Sequence, residues 1–182
     1  MKRTLIPMLL CCLPATLVCG NVAGNGQQVG YLKVNVVPDR AGLFVDGRYW
    51  GPAARYGSAR KYLMTPGKHE VRMVDPRYEE STATVDIVPR KTATLSEALT
   101  PKPAPTPPFA TLKVVCNPMK LAAVMLNDHY VGHVAEFDGA GQGLQVAPGT
   151  YYVRIDLAGG EALLWEQVTL EAGKTTTVHW DE

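Results

Sequence analysis

With 46% hydrophobic and 19% charged residues over 182 positions, the chain carries enough apolar side chains for a core, which excludes disorder throughout. A formal net charge of +1 gives no global electrostatic argument for nucleic acid, whose binding needs a concentrated basic surface. The charge is unevenly placed: residues 31–99 hold 11 Lys+Arg against 8 Asp+Glu, and residues 109–182 hold 4 against 9.

In chain order, Lys2 and Arg3 precede an apolar run from Leu5 to Val18, the layout of a secretory signal peptide over residues 1–20 with cleavage near Gly20. The run is shorter than the roughly 20 residues a spanning helix needs, and no other segment qualifies, so no transmembrane span is expected in the mature chain. Export to the periplasm or cell surface follows. Cys19 offers a competing site for lipid attachment, although Leu17 and Val18 stand where a lipobox has small residues. Of the four cysteines only Cys116 falls in the mature region, so no disulfide framework is expected; within Leu112-Lys113-Val114-Val115-Cys116 it reads as a small buried hydrophobe. Residues 21–30 form a polar, glycine-rich lead.

Residues 31–99 read as strands and turns. Tyr31 to Val37 alternates, with Leu32, Val34 and Val36 on one face. After Pro38, the run Leu43-Phe44-Val45 meets Asp46-Gly47, the pair that best adopts the positive φ angles of a two-residue hairpin, and should fold back onto Arg48-Tyr49-Trp50. Residues 51–62 read as a loop opened by Gly51. Pro66-Gly67 then leads into strands expected at about His69–Val74, Ser81–Val88 and Thr92–Leu99.

Residues 100–108 are a proline-rich linker, unable to join a central ladder and favouring extended polyproline II. Few apolar contacts should cross it, so each flanking half is expected to fold alone.

Beyond the linker the same grammar returns across residues 109–182. Leu112-Lys113-Val114 lies 80 residues after Leu32-Lys33-Val34, Gly132 lies 81 after Gly51, Pro148-Gly149 lies 82 after Pro66-Gly67, and Lys174-Thr175 lies 83 after Lys91-Thr92. Asn127-Asp128 takes the place of Asp46-Gly47. A slowly growing offset is what single-residue insertions between retained strands produce. Short strands with Gly/Pro/Asp turns indicate two small all-β domains, each an antiparallel sandwich or a barrel of about six or seven strands.

Repeat one resembles the PEGA domain, a small β domain of bacterial extracytoplasmic proteins. The resemblance rests on Pro38-Asp39-Arg40-Ala41 at the place of the family tetrapeptide, then Phe44-Val45, Asp46-Gly47, Gly51 and Pro66-Gly67-Lys68-His69. Repeat two follows the spacing but departs at Pro118-Met119-Lys120-Leu121, Asn127-Asp128 and Tyr151. The resemblance implies an immunoglobulin- or prealbumin-like sandwich and a non-catalytic envelope module, and it transfers no catalytic residue and no cofactor.

The residues agree with that expectation. No nucleophile elbow, phosphate loop, dinucleotide fingerprint or zinc-protease motif is present. His129 and His133, with Asp128 or Glu136, are the nearest thing to a metal set, yet they follow a turn and no metal is expected; Asp75, Glu79 and Glu80 read as a solvated turn. The stretch richest in recognition chemistry is Arg48, Tyr49, Trp50, Arg55, Tyr56, Arg60 and Lys61, where rings suit sugar faces and guanidinium groups suit carboxylate or phosphate, so an anionic envelope polysaccharide is the expected ligand. Two alternatives stand beside it: the rings cover the core, or these cations dock against Glu136 and Asp138 of repeat two. A structural protein–protein module of an envelope complex is the rival function.

Overall fold

The computed structural model describes residues 28–55, 58–104 and 106–181; the expected signal peptide lies outside them. The chain is all-β. Among the described residues there is no α-helix, only a 3-10 turn at Val134–Glu136. Repeat one supplies β1 (Gly30–Val37), β2 (Gly42–Val45), β3 (Arg48–Pro52), β4 (Ala54–Arg55), β5 (Ser58–Met64), β6 (Gly67–Val74), β7 (Ser81–Ile87) and β8 (Thr92–Ala98). They form two four-stranded sheets, ordered β4-β5-β1-β8 and β3-β2-β6-β7. Leu32, Val34 and Val36 of β1 and Tyr62 and Met64 of β5 meet Leu43, Val45, Val71 and Met73 of the other sheet in one apolar cluster.

Two expectations need correction. The stretch 51–62 is not a loop: it makes the short β4 and much of β5, with Tyr62 and Met64 turned inward and Lys61 and Leu63 outward. Nor are the sheets purely antiparallel. The chain crosses from one sheet to the other after β7, so β8 arrives alongside β1 and runs parallel to it, Leu32 opposite Ala93 and Val36 opposite Glu97.

Repeat two supplies β9 (Ala110–Asn117), β10 (Ala123–Leu126), β11 (His129–His133), β12 (Leu144–Val146), β13 (Gly149–Asp156), β14 (Ala162–Leu170) and β15 (Thr175–Asp181). Its sheets are β12-β9-β15 and β11-β10-β13-β14, and β15 runs parallel to β9 as β8 does to β1. The connectivity of repeat one therefore recurs, with the β4–β5 hairpin replaced by the 3-10 turn and β12. A second apolar cluster, containing Leu112, Val114, Cys116, Val124, Leu126, Val153, Ile155, Val168 and Leu170, fills this half.

The expectation that little crosses between the halves is not met. Phe44, Tyr49 and Val74 of repeat one and Ala123, Met125 and Tyr130 of repeat two form a third buried cluster. Phe44 packs edge-on to Tyr130 at 5.6 Å between ring centroids, and Tyr49 lies 5.7 Å from the same ring. The linker is also held down. Glu79 N donates to Thr100 O at 2.8 Å, Lys102 N donates to Arg77 O at 2.8 Å, and Tyr78 bridges to Pro101.

The seam joins like to like. Phe44 and Met125 are equivalent positions of β2 and β10, and Tyr49 and Tyr130 are equivalent positions of β3 and β11, so each repeat offers the same outward face and the contact has an approximate two-fold character. Tyr49 Oη donates to Leu121 O at 3.1 Å, and Gly159 N donates to Tyr49 O at 2.7 Å. Gly42 lets the halves come this close: a Cβ there would stand 2.6 Å from Tyr130 Cζ.

Candidate functional site

The surface expected over residues 48–61 is largely consumed by packing. Tyr49 is 2% exposed because repeat two covers the outer face of β3. Its burial there pushes the phenol pKa well up, as it does for Tyr130. Arg48 backs onto the Gly159-Gly160 turn of repeat two. Trp50 is half-buried against the core, 5.8 Å from Tyr62. Tyr62 is buried, its hydroxyl donating to Pro52 O at 2.9 Å, and desolvation moves its pKa to about 12. Arg60 lies over the Tyr62 ring at 5.1 Å, and Lys61 Nζ lies 4.1 Å above Tyr31. Arg55 is in β4, and Tyr56 lies outside the described residues. The residues read as one recognition surface are thus dispersed: the rings at 49 and 50 pack, and Arg60 and Lys61 sit on tyrosine faces.

The turn residues have specific work. Asp46 and Gly47 both have positive φ, 50° and 79°, as do Asn127 and Asp128, 47° and 64°, the geometry of the tight hairpin that matches strand twist. Asp46 Oδ1 accepts from Glu70 N at 3.0 Å, and Asn127 Oδ1 accepts from Tyr152 N at 2.9 Å, so each turn pins the neighbouring β6 or β13. Gly51 and Gly132 follow bulges in which Trp50 and Val131 are the extra residues. Leu43 therefore faces Gly51 rather than Trp50. A Cβ on Gly132, at φ 144°, would meet Phe137 at 2.5 Å. Pro38 and Pro118 follow β1 and β9, and Pro66-Gly67 and Pro148-Gly149 open β6 and β13.

Charge also crosses the seam, by other partners than the sequence suggests. Glu136 approaches Arg77 Nη2 at 3.3 Å and Arg40 Nε at 3.8 Å, whereas Asp138 pairs with Lys120 of its own repeat. Asp75 is no solvated turn acid. It is 2% exposed, accepts from Arg40 Nε at 2.8 Å and takes the Arg77 backbone N–H at 2.9 Å. Burial works against the Glu136 charge, but His133, with Nδ1 2.8 Å away, and Arg77 outweigh it and hold the pKa below the usual value. His133 is occupied in this way and His129 is exposed. Among the described residues no three His, Cys, Asp or Glu side chains converge as metal ligands.

The surface with open recognition chemistry lies elsewhere, on the outer face of β13 and β14. Antiparallel register sets Thr150 opposite Thr169, Tyr152 opposite Gln167 and Arg154 opposite Trp165, so alternate residues share one face. Their inward neighbours Val153, Ile155, Val168 and Leu170 belong to the core. Trp165 is 63% and Tyr152 50% exposed, diagonal neighbours at about 7–8 Å by strand geometry. The Arg154 guanidinium lies 5.7 Å from the Trp165 ring centroid and is fixed by Asp156 Oδ1 on Nε at 2.8 Å and by Asp128 Oδ1 on Nη1. The hydrogen bond and charge of Asp156, with Asp128, raise its pKa further. Asn127, Asp128, Thr150, Tyr152, Arg154, Trp165 and Gln167 line an open groove of about 450 Å³. The equivalent face of repeat one pairs Lys68 with Asp86, Glu70 with Thr84 and Arg72 with Thr82, and has no ring at those positions. Tyr152 is legible in the sequence as an outward strand residue; Trp165 joins it only through the register of the next strand.

No family model matches the chain, and no curated protein matches it. Among solved structures it is similar to the Bacillus anthracis TIE protein, with 13% identity and a TM-score of 0.33 over 84% of this chain and 33% of that one. The chain spans about a third of that protein's length, and a likeness so distant carries no argument about function.

Proposed function

We propose that this is a non-catalytic, exported module of the bacterial cell envelope: two PEGA-like, immunoglobulin- or prealbumin-like sandwich domains, docked through their β2–β3 and β10–β11 faces, binding an envelope glycan on the outer face of β13 and β14. The observation that carries the reading is the exposed Tyr152–Trp165 pair. Flat rings left in water on a rigid sheet lose nothing by stacking on a sugar and gain apolar contact when they do. Site residues placed on strands need little ordering when ligand arrives. Among the described residues no helix is long and apolar enough to cross a membrane.

The test is retention of the mature protein on insoluble envelope polysaccharides, peptidoglycan included, against the Tyr152→Ala/Trp165→Ala double variant. Retention that disappears in the variant is expected. Equal retention of both proteins would refute the assignment.

A further inference from the structure

Resting on that reading of the β13–β14 face, we infer that the site takes an uncharged polysaccharide chain and discriminates against acidic ones, with Trp165 as the stacking platform and Asp128 as the residue that sets the preference.

The argument is one of charge and of committed hydrogen bonds. Among the described residues the one cation lining the groove is Arg154, and two carboxylates already hold it: Asp156 through Nε and Asp128 through Nη1. Bidentate capture of a ligand carboxylate or phosphate requires a guanidinium edge with paired free donors, and here each of the two edges, Nε–Nη2 and Nη1–Nη2, has one nitrogen already engaged within the protein. One positive and two negative groups leave the immediate surroundings with a net negative charge. Asp128 is also the most exposed of the three, its side chain 69% accessible. An anionic polymer laid across the groove would face that carboxylate at short range in partly excluded solvent, where repulsion is strong.

The same groups suit a neutral pyranose. Asp128 engages Arg154 through Oδ1, and a carboxylate has further acceptor sites on its second oxygen for sugar hydroxyls. Gln167, opposite Tyr152 and two residues along β14 from Trp165, adds an amide that donates and accepts. Arg154 on the indole orients the ring, and the C–H face of a pyranose with equatorial substituents supplies the positive edge that an aromatic face attracts. The groove is open along the sheet, which admits the middle of a chain as well as its end. Asp128 also lines a smaller cleft of about 210 Å³ between the repeats, shared with Arg72, Glu80 and Lys102, so the acidic residue stands where the platform meets the seam.

The experiment uses the full mature chain and two polymers on one β-1,4-glucan backbone, neutral hydroxyethyl cellulose and anionic carboxymethyl cellulose, in affinity electrophoresis and tryptophan fluorescence titration at low salt. Hydroxyethyl cellulose should retard the protein at least tenfold more strongly than carboxymethyl cellulose. Trp165→Ala should abolish retardation by both with an unchanged thermal midpoint, and Asp128→Lys should narrow or reverse the discrimination. Equal or stronger binding of carboxymethyl cellulose that Trp165→Ala still abolishes would overturn the neutral-chain inference while leaving the platform in place. Binding of neither polymer would overturn the inference, and binding that survives Trp165→Ala would overturn the inference together with the reading it rests on.

Discussion

Replacing Gly42 by Ala tests whether the two repeats fold as one body. In a strand the substitution alone should be favourable by about 0.5–1 kcal/mol, because glycine loses more chain entropy on folding. Here the added carbon would stand 2.6, 2.7 and 3.0 Å from Tyr130 Cζ, Cε1 and Cε2, against a carbon–carbon optimum of about 3.5–4.0 Å. The ring would have to retreat by roughly 1 Å. It is wedged between Phe44 and Tyr49, with aromatic contacts worth about 0.5–1.5 kcal/mol each, so retreat opens the seam. Overpacking of this kind costs about 1–3 kcal/mol, which outweighs the entropic gain, so Gly42→Ala should destabilise the full chain. In a Tyr130→Ala background the obstruction is gone and the same substitution should turn neutral or favourable. The measurement is a double-mutant cycle by guanidinium unfolding, with Trp50 reporting on repeat one and Trp165 and Trp180 on repeat two. An equal cost of Gly42→Ala in both backgrounds would refute the packing argument.

Two further outcomes test the turns. Gly47→Val places a β-branched residue at φ 79°, where nothing lies within 4 Å of the new Cβ, so the cost is backbone strain and should be about 1 kcal/mol or more; an unchanged thermal midpoint would show that the hairpin tolerates another turn. The Asp46–His69 pair, 2.7 Å apart, makes stability depend on pH. Their hydrogen bond raises the His69 pKa above 6.5, so its contribution is full below pH 6.5 and is lost as pH rises through the folded-state value. It lowers the Asp46 pKa below 3.8, so that contribution is full above pH 3.8 and is lost as pH falls through the folded-state value. Stability from the pair should be greatest between pH 3.8 and 6.5, and thermal midpoints of Asp46→Asn should vary less with pH than those of the parent.

What could be read from the sequence was chemistry settled within a few residues. Asp46-Gly47 and Asn127-Asp128 need only their own φ angles to declare a hairpin. Even the departure at Tyr151 keeps a local job: its hydroxyl donates to Ala147 O at 2.9 Å, as His69 Nε2 reaches Thr65 O at 3.0 Å in repeat one. Strand β5 was missed because its basic residues and the nearby Gly57-Ser58 look like a loop, although the inward Tyr62 and Met64 carry the two-residue period. The seam left a weaker trace. Leu43-Phe44-Val45 and Val124-Met125-Leu126 are unbroken apolar runs, the pattern of a strand covered on both faces, yet nothing in either run says that its second cover is the other repeat. The misreading of Tyr49 follows from this: its composition suits recognition, and the partner it recognises is internal.

The two-fold character of the seam also sets a limit on growth. A face that meets its own copy is used up in the meeting, in contrast to a head-to-tail contact, which leaves a fresh surface at each end and can continue into a filament. Phe44 and Tyr49 are satisfied by Met125 and Tyr130, and among the described residues no equivalent face remains for a third copy. Arrays of this unit would therefore count in pairs, each pair closed, and any longer assembly must be joined through a different surface.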